Sequence, residues 1–110
     1  MHALKLFIVA GVCLLGAFYA RAADELLVFG ADWCPSCVKL KAVLSSQPEL
    51  AAGYHLVIVD IDQEPELAAR YQVRAVPVLV VLQANGKLRR TVGFTTIENL
   101  RQWLKNGAIR

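Results

Sequence analysis

The chain is short of nearly everything that would mark it as more than one small folded domain. Its 110 residues fall inside the span of about 100 to 200 that one domain occupies, and no repeat with a period of about 20 to 50 residues is present. Seven glycines and four prolines are too few for a fibrous or low-complexity chain. Charge is scarce as well: 19% of residues are charged against 56% hydrophobic, which excludes intrinsic disorder and supplies apolar material for a core. The formal net charge is +3, but two of the twelve basic residues, Lys5 and Arg21, fall in the first 22 positions, where there is no acid. The remainder holds ten basic against nine acidic residues, with no basic stripe. Phosphate binding needs clustered positive charge, so nucleic acid is excluded as a partner. The longest uncharged stretch is fifteen residues, short of the roughly 20 that cross a bilayer as a helix.

That stretch, LFIVAGVCLLGAFYA between Lys5 and Arg21, has the length of a signal-peptide apolar region. It ends in Ala20-Arg21-Ala22, with small residues at the two positions a signal peptidase inspects. The pattern predicts a signal peptide over residues 1–22, cleavage between Ala22 and Ala23, and a mature domain of residues 23–110. An uncleaved N-terminal anchor is the alternative, because the positive N-region holds only Lys5 besides the amino terminus. A lipoprotein site at Cys13 is disfavoured by Val12, which stands where that signal wants a small residue. Removing the leader takes the cysteines from three to two, Cys34 and Cys37 in C-x-x-C spacing. None is left to tie distant segments together, so the pair serves chemistry.

Glu25 to Gly30 is a continuous apolar run after its first residue, the pattern of a strand buried on both faces. Pro35 suits the first turn of a helix, and Cys37, Leu40, Val43 and Leu44 recur at helical spacing until Pro48. His55 to Asp60 predicts a second buried strand and Pro65 to Tyr71 a short helix. Val78 to Leu82 and Lys87 to Val92 flank Asn85-Gly86, a hairpin signal because both turn positions tolerate positive φ. Thr95-Thr96-Ile97-Glu98 has capping-box spacing, and Ile97, Leu100, Trp103 and Leu104 mark a last helix ending near Asn106-Gly107. The order strand, helix, strand, helix, strand, strand, helix predicts an α/β domain: a mixed four-stranded sheet with helices on both faces. Its chemistry is expected where the first strand meets its helix.

Trp33-Cys34-Pro35-Ser36-Cys37 sits at that junction, which places the Cys34 sulfur near the unpaired N–H groups and positive end of a helix. A thiolate is favoured there, and Cys37, one turn on, lies near enough to close a disulfide. Cys34 is the expected nucleophile and Cys37 the resolving thiol. Zinc needs about four ligands, and the mature chain offers two thiols and a distant His55, so no metal site is expected. A copper(I) carrier using the two thiolates stays open as an alternative, since soft metals accept such pairs. A purely structural disulfide over so small a loop removes little chain entropy. Trp33 shields the pair and offers an apolar contact surface, Trp103 belongs to the core, and His55 is a surface residue at a strand end. Asp60, Asp62, Glu64 and Glu66 read as a solvated edge and first helical turn.

From residue 25 to residue 106 the chain resembles the thioredoxin family in its compact form, without an extra N-terminal strand and helix. The likeness rests on Ala31-Asp32-Trp33-Cys34-Pro35-Ser36-Cys37, Val59-Asp60-Ile61-Asp62, Tyr71-Gln72-Val73-Arg74-Ala75-Val76-Pro77, and Gly86 with Val92-Gly93-Phe94. The resemblance implies that Pro77 follows a cis peptide against the cysteine pair and that Val76 contacts substrate. Two departures stand out. Where the family carries a buried aspartate and a lysine that assist proton transfer, this chain has Val28 and Ile58, so solvent or Asp32 is left to accept the proton of Cys37. Pro35-Ser36 stands between the cysteines where thioredoxins have Gly-Pro, and that dipeptide tunes the redox potential.

The resemblance implies a periplasmic thiol:disulfide oxidoreductase acting on protein disulfides or dithiols, with no cofactor beyond its own cysteine pair. The residues Ala31-Asp32-Trp33-Cys34 and Val92-Gly93-Phe94 look like those of the C-terminal domain of the membrane thiol electron transporter and of periplasmic reductases. This favours a reductant supplied by a membrane thiol relay. The rivals are a dithiol oxidase reoxidised by a quinone-linked partner, and a metal-delivery module without turnover. No dimerisation segment is visible, so a monomer is expected.

Overall fold

The computed structural model describes residues 23–108, and the expected leader lies outside them. Strands β1 (Asp24–Gly30), β2 (Tyr54–Asp60), β3 (Val78–Leu82) and β4 (Leu88–Val92) form one mixed sheet in the order β2-β1-β3-β4. Helices α1 (Pro35–Ser46), α2 (Pro65–Arg70) and α3 (Ile97–Ala108) complete the expected architecture, with a 3₁₀ turn at Pro48–Ala51 between α1 and β2. β1 pairs with β2 in parallel and with β3 antiparallel, so only the first crossover makes a βαβ unit. The second connection, through α2, brings β3 in antiparallel on the far side of β1.

Period-two alternation divides the sheet between two cores. Leu26, Val28, Leu79 and Val81 point to the face covered by Leu40 and Leu44 of α1 and Leu100 and Leu104 of α3. Leu27, Phe29, Val59, Val78 and Val80 point to the other face, closed by Ala68 of α2. β1 and β3 are central strands and are buried on both faces, as continuous apolar runs require.

β2 departs from expectation. It pairs on one side only among the described residues, and of its seven residues only Val59 is fully buried, leaving Ile58 40% exposed. An apolar run shows that a strand is hydrophobic; its place in the sheet decides how much of it is covered. The hairpin also differs. Gln83 and Lys87 close a three-residue turn in which only Gly86 has positive φ, at 90°, while the Asn85 side chain accepts the Lys87 N–H at 2.9 Å. At α3 the cap is Thr96, whose hydroxyl accepts the Asn99 N–H at 3.1 Å; Thr95 instead accepts from the Asn99 side chain. Trp103 packs against the core from its edge, as expected, and is half-buried there, with the Arg89 guanidinium 4.3 Å from its ring centre.

Candidate active site

β1 delivers the chain to Gly30, and the turn that follows is closed by the Cys34 N–H, which donates to Ala31 C=O at 3.2 Å. Cys34 is the N-cap of α1, with extended dihedrals (φ −103°, ψ 109°) and Pro35 in the first helical position. Its sulfur plays the part a serine oxygen plays in an ordinary cap, accepting the Cys37 N–H at 3.2 Å. The Ser36 hydroxyl donates to the same sulfur at 3.5 Å. No acidic residue sits in the first turn of α1, so nothing there opposes negative charge on Cys34.

Cys34 and Cys37 are joined in a disulfide with their Cα atoms 5.2 Å apart, the separation that one helical turn provides. Both are nearly enclosed, at 5% and 6% exposure, in a small cluster with Ala31, against which Ile61 and Val76 pack. Cys37 lies against β1: a Cβ added at Gly30 would meet Cys37 Cβ at 3.2 Å and its Sγ at 3.4 Å. Glycine at this position allows the close approach of helix to strand.

Two loops complete the site. Trp33 is 65% exposed, and its Nε1–H donates to Asp62 Oδ2 at 2.9 Å; the Asp62 N–H in turn donates to Asp60 Oδ1 at 2.9 Å. The indole beside the cysteines is therefore fixed by the loop after β2. Facing them, the Val76–Pro77 peptide is cis, and the Val76 carbonyl oxygen lies 3.7 Å from Cys34 Sγ. In the disulfide this sulfur carries no proton, so the contact becomes a hydrogen bond only in the thiol. Pro77 is buried and its carbonyl accepts the Gly93 N–H at 2.8 Å. Arg90 of β4 donates to the carbonyls of Tyr71 and Gln72, at 2.6 and 3.3 Å, holding the start of the same loop.

The expected site residues Trp33, Cys34, Ser36, Cys37, Val76 and Pro77 thus converge, with Asp32 exposed at the turn before them. His55 stands at the other end of β2, its imidazole 3.8 Å from Glu25 and 69% exposed, away from the sulfurs. Sequence reasoning missed Asp62, Arg90 and Gly30. The Asp60-Ile61-Asp62 spacing after a strand is a usable signal for the first; nothing local marks the other two. Among the described residues no group of three His, Cys, Asp or Glu side chains could hold a metal ion.

A sulfur at a helix N-cap, bonded to a second sulfur one turn on and faced by an open carbonyl, defines a dithiol/disulfide exchange site. Residues 20–108 match the family model for the thioredoxin-like domain. A thioredoxin of Staphylococcus aureus is 36% identical over 84 residues, covering 73% of this chain and 78% of that one. Among solved structures, a mutant thioredoxin from Halobacterium salinarum NRC-1 superposes with a TM-score of 0.67 at 28% identity, covering 76% of this chain and 74% of that one. A chloroplastic thioredoxin z gives the same TM-score at 23% identity, over 87% of this chain and 88% of that one, and so shares the fold. The chain belongs to the thioredoxin family. It is a thiol:disulfide oxidoreductase acting on protein disulfides, and its redox group is the Cys34–Cys37 pair itself, without a cofactor.

Proposed function

We propose that the protein is an exported, monomeric reductant of protein disulfides in the periplasm, made as a precursor whose residues 1–22 are removed to leave the domain of residues 23–110. The observation that carries the redox roles is the sulfur of Cys34 at the opening of α1, receiving the Cys37 N–H and the Ser36 hydroxyl. Both donors favour a thiolate there, which makes Cys34 the nucleophile. The Cys34 thiolate attacks a substrate disulfide, releasing one substrate thiolate and forming a mixed disulfide. Cys37 then attacks the Cys34 sulfur, releasing the second substrate thiolate and leaving the pair oxidised. Two electrons pass to the substrate.

Substrate lies across Trp33, Val76 and Pro77. The Val76 carbonyl faces the reacting sulfur, and the exposed indole gives an apolar surface beside it. Pro35 and Ser36 tune the couple, Ser36 through its hydroxyl on Cys34. Export is supported by the fifteen uncharged residues that end in Ala20-Arg21-Ala22. The reducing direction is supported by the likeness of Ala31-Asp32-Trp33-Cys34 and Val92-Gly93-Phe94 to periplasmic reductases. A reductant in a compartment kept oxidising needs a membrane thiol donor to restore the dithiol.

The test is the reduction potential of the Cys34–Cys37 couple, titrated against glutathione and dithiothreitol buffers with Cys37→Ser as control. A value near that of thioredoxin-type reductants, about −270 mV, is expected; one near about −120 mV overturns the reading in favour of disulfide donation. Cell fractionation with mass analysis of the purified chain tests export, the expected product being periplasmic and beginning at Ala23.

A further inference from the structure

The chain is electrically lopsided. Residues 23–66 hold eight acidic side chains against Lys39 and Lys41, whereas residues 67–97 hold five basic side chains and no acid. The sheet order β2-β1-β3-β4 turns that division into one of space: β1, β2 and the loop after β2 belong to the acidic part, β3 and β4 to the basic part. The cysteine cluster lies at the boundary, with Ile61 from the first part and Val76 from the second both packed on it. On the Trp33 side stand Asp32, Asp60 and Asp62, with Glu64 and Glu66 beyond. On the Val76 side the fold gathers three arginines. The Arg90 guanidinium donates to the carbonyls of Tyr71 and Gln72, at 2.6 and 3.3 Å, and Arg70 and Arg74 flank those two residues in the chain. All three arginines are exposed. Arg74 is two residues from Val76, at most about 7 Å along the chain.

We propose that the flank formed by Arg70, Arg74 and Arg90 is a docking surface for protein partners that carry carboxylates beside their disulfide, and that it sets which way round such a partner lies over Cys34. The proposal rests on substrate reaching Cys34 across Val76. Among the described residues the ion pairs are those of Glu25 with His55 and of Glu98 with Arg101, so none of the three arginines has a carboxylate partner there. The carbonyls that Arg90 meets hold its guanidinium in place and leave its charge intact. Like charges gathered without a counter-charge repel one another, and a carboxylate brought among them relieves that repulsion. The acids across the cysteine pair repel the same carboxylate, so a partner acidic on one side of its disulfide is turned toward Val76. A uniformly negative polymer such as a nucleic acid gains on one flank and loses on the other, which favours a protein. The patch leaves no basic run in the sequence, because Arg90 reaches it from β4 while Arg70 and Arg74 come from the end of α2 and the loop after it.

The experiment uses the reduced full chain and the disulfide-linked dimer of the peptide Gly-Xaa-Xaa-Cys-Gly-Gly amide, made with glutamate, glutamine or lysine at both Xaa positions. The second-order rate of reduction is followed by acid quenching and chromatography of the released peptide thiol. Each rate is divided by that of 2-mercaptoethanol with the same peptide, which removes the effect of the flanking charges on the disulfide itself. At an ionic strength of about 10 mM the glutamate peptide should be favoured over the lysine peptide on the order of 10-fold. The ratio should collapse toward one at about 1 M salt, where the Debye length falls from about 30 Å to about 3 Å. The double variant Arg70→Gln, Arg74→Gln should lose most of the preference and keep the wild-type rate with the glutamine peptide, which also certifies its fold. Lys87→Gln, at the hairpin on the far end of β4, should keep the preference. The proposal is overturned if the wild-type ratio is one or less, if the double variant keeps it, or if Lys87→Gln lowers it equally, since net charge alone would then suffice. Failure of the wild type to reduce even the glutamine peptide would instead overturn the substrate reading beneath it.

Discussion

The two ends of the sheet are assembled for different purposes: one holds a helix, the other presents a reactive pair. At the end where β1 and β2 finish, backbone N–H groups place the chain, and the side-chain bonds of Trp33 and Arg90 fix the loops around it. The Cys37 N–H meets a sulfur, the Ile61 N–H meets Gly30 C=O at 3.0 Å, and Gly93 N–H meets Pro77 C=O. At the end where those strands begin, side chains grip the backbone of other elements. The Tyr54 hydroxyl donates to Leu104 C=O, Arg89 donates to Trp103 C=O at 2.8 Å, and Asp24 accepts the Ala84 N–H at 3.0 Å. The far end binds α3 to the sheet, whereas the site end leaves its sulfurs, the exposed face of its anchored indole and the Val76 carbonyl for another molecule. Side-chain changes should therefore cost activity at one end and stability at the other.

The largest expected effect is at the site. Cys34→Ser should abolish disulfide turnover while changing the unfolding free energy of the reduced protein by less than about 0.5 kcal/mol, measured by denaturant titration under reducing conditions. A large destabilisation would break the division. At the far end, Leu104→Ala removes a side chain only 2% exposed and should lower stability by about 3 kcal/mol, with the rate of Cys34 attack unchanged. Gln83 sharpens the contrast from the other direction. It is 6% exposed, and its amide nitrogen and oxygen have no hydrogen-bond partner among the described residues. Gln83→Met keeps the volume without the unpaired polar atoms and should raise the midpoint of urea unfolding, by about 1–2 kcal/mol in stability.

Tyr54 makes the division depend on pH. Burial raises its hydroxyl above the ordinary value of 10.0, against a lowering by Arg89, and Asp24 adds to the rise. A group held protonated in the folded state contributes its stability in full below pH 10 and loses it as pH climbs from there through the folded value. Tyr54→Phe should cost about 1 kcal/mol at neutral pH and flatten the alkaline limb of stability against pH. The smallest expected change is at Asp62. Asp62→Asn keeps an acceptor for the Trp33 indole but removes its charge, so turnover of a protein disulfide should fall a few-fold through KM, with thermal stability unmoved within about 0.5 kcal/mol.

What the sequence made legible is what short spacing determines. Cys34 and Cys37 three apart, Pro35 between them, and the alternation along β1 and β3 each belong to one element, and their signals survive without knowledge of the rest. The exposure of Ile58 depends on β2 having a neighbour on one side, which no pattern within β2 records. Asp62 reaches Trp33 across 29 positions, and Arg89 reaches Trp103 across 14, so both look like ordinary surface charges until the fold brings them to their partners. The α3 cap shifted by one residue for a related reason. Thr95 and Thr96 are chemically equivalent, and the direction in which the chain leaves β4 decides which hydroxyl faces the first turn.

The chain has two tryptophans, and each end of the sheet has one. Trp33 adjoins the disulfide and is held still by a carboxylate, whereas Trp103 lies half-buried under a guanidinium on α3. Emission from the first will follow the chemical state of the neighbouring sulfurs, and emission from the second will follow the docking of the last helix. With Trp33→Phe and Trp103→Phe as single-emitter versions, electron transfer and unfolding can be recorded optically in one cuvette, without attaching a dye.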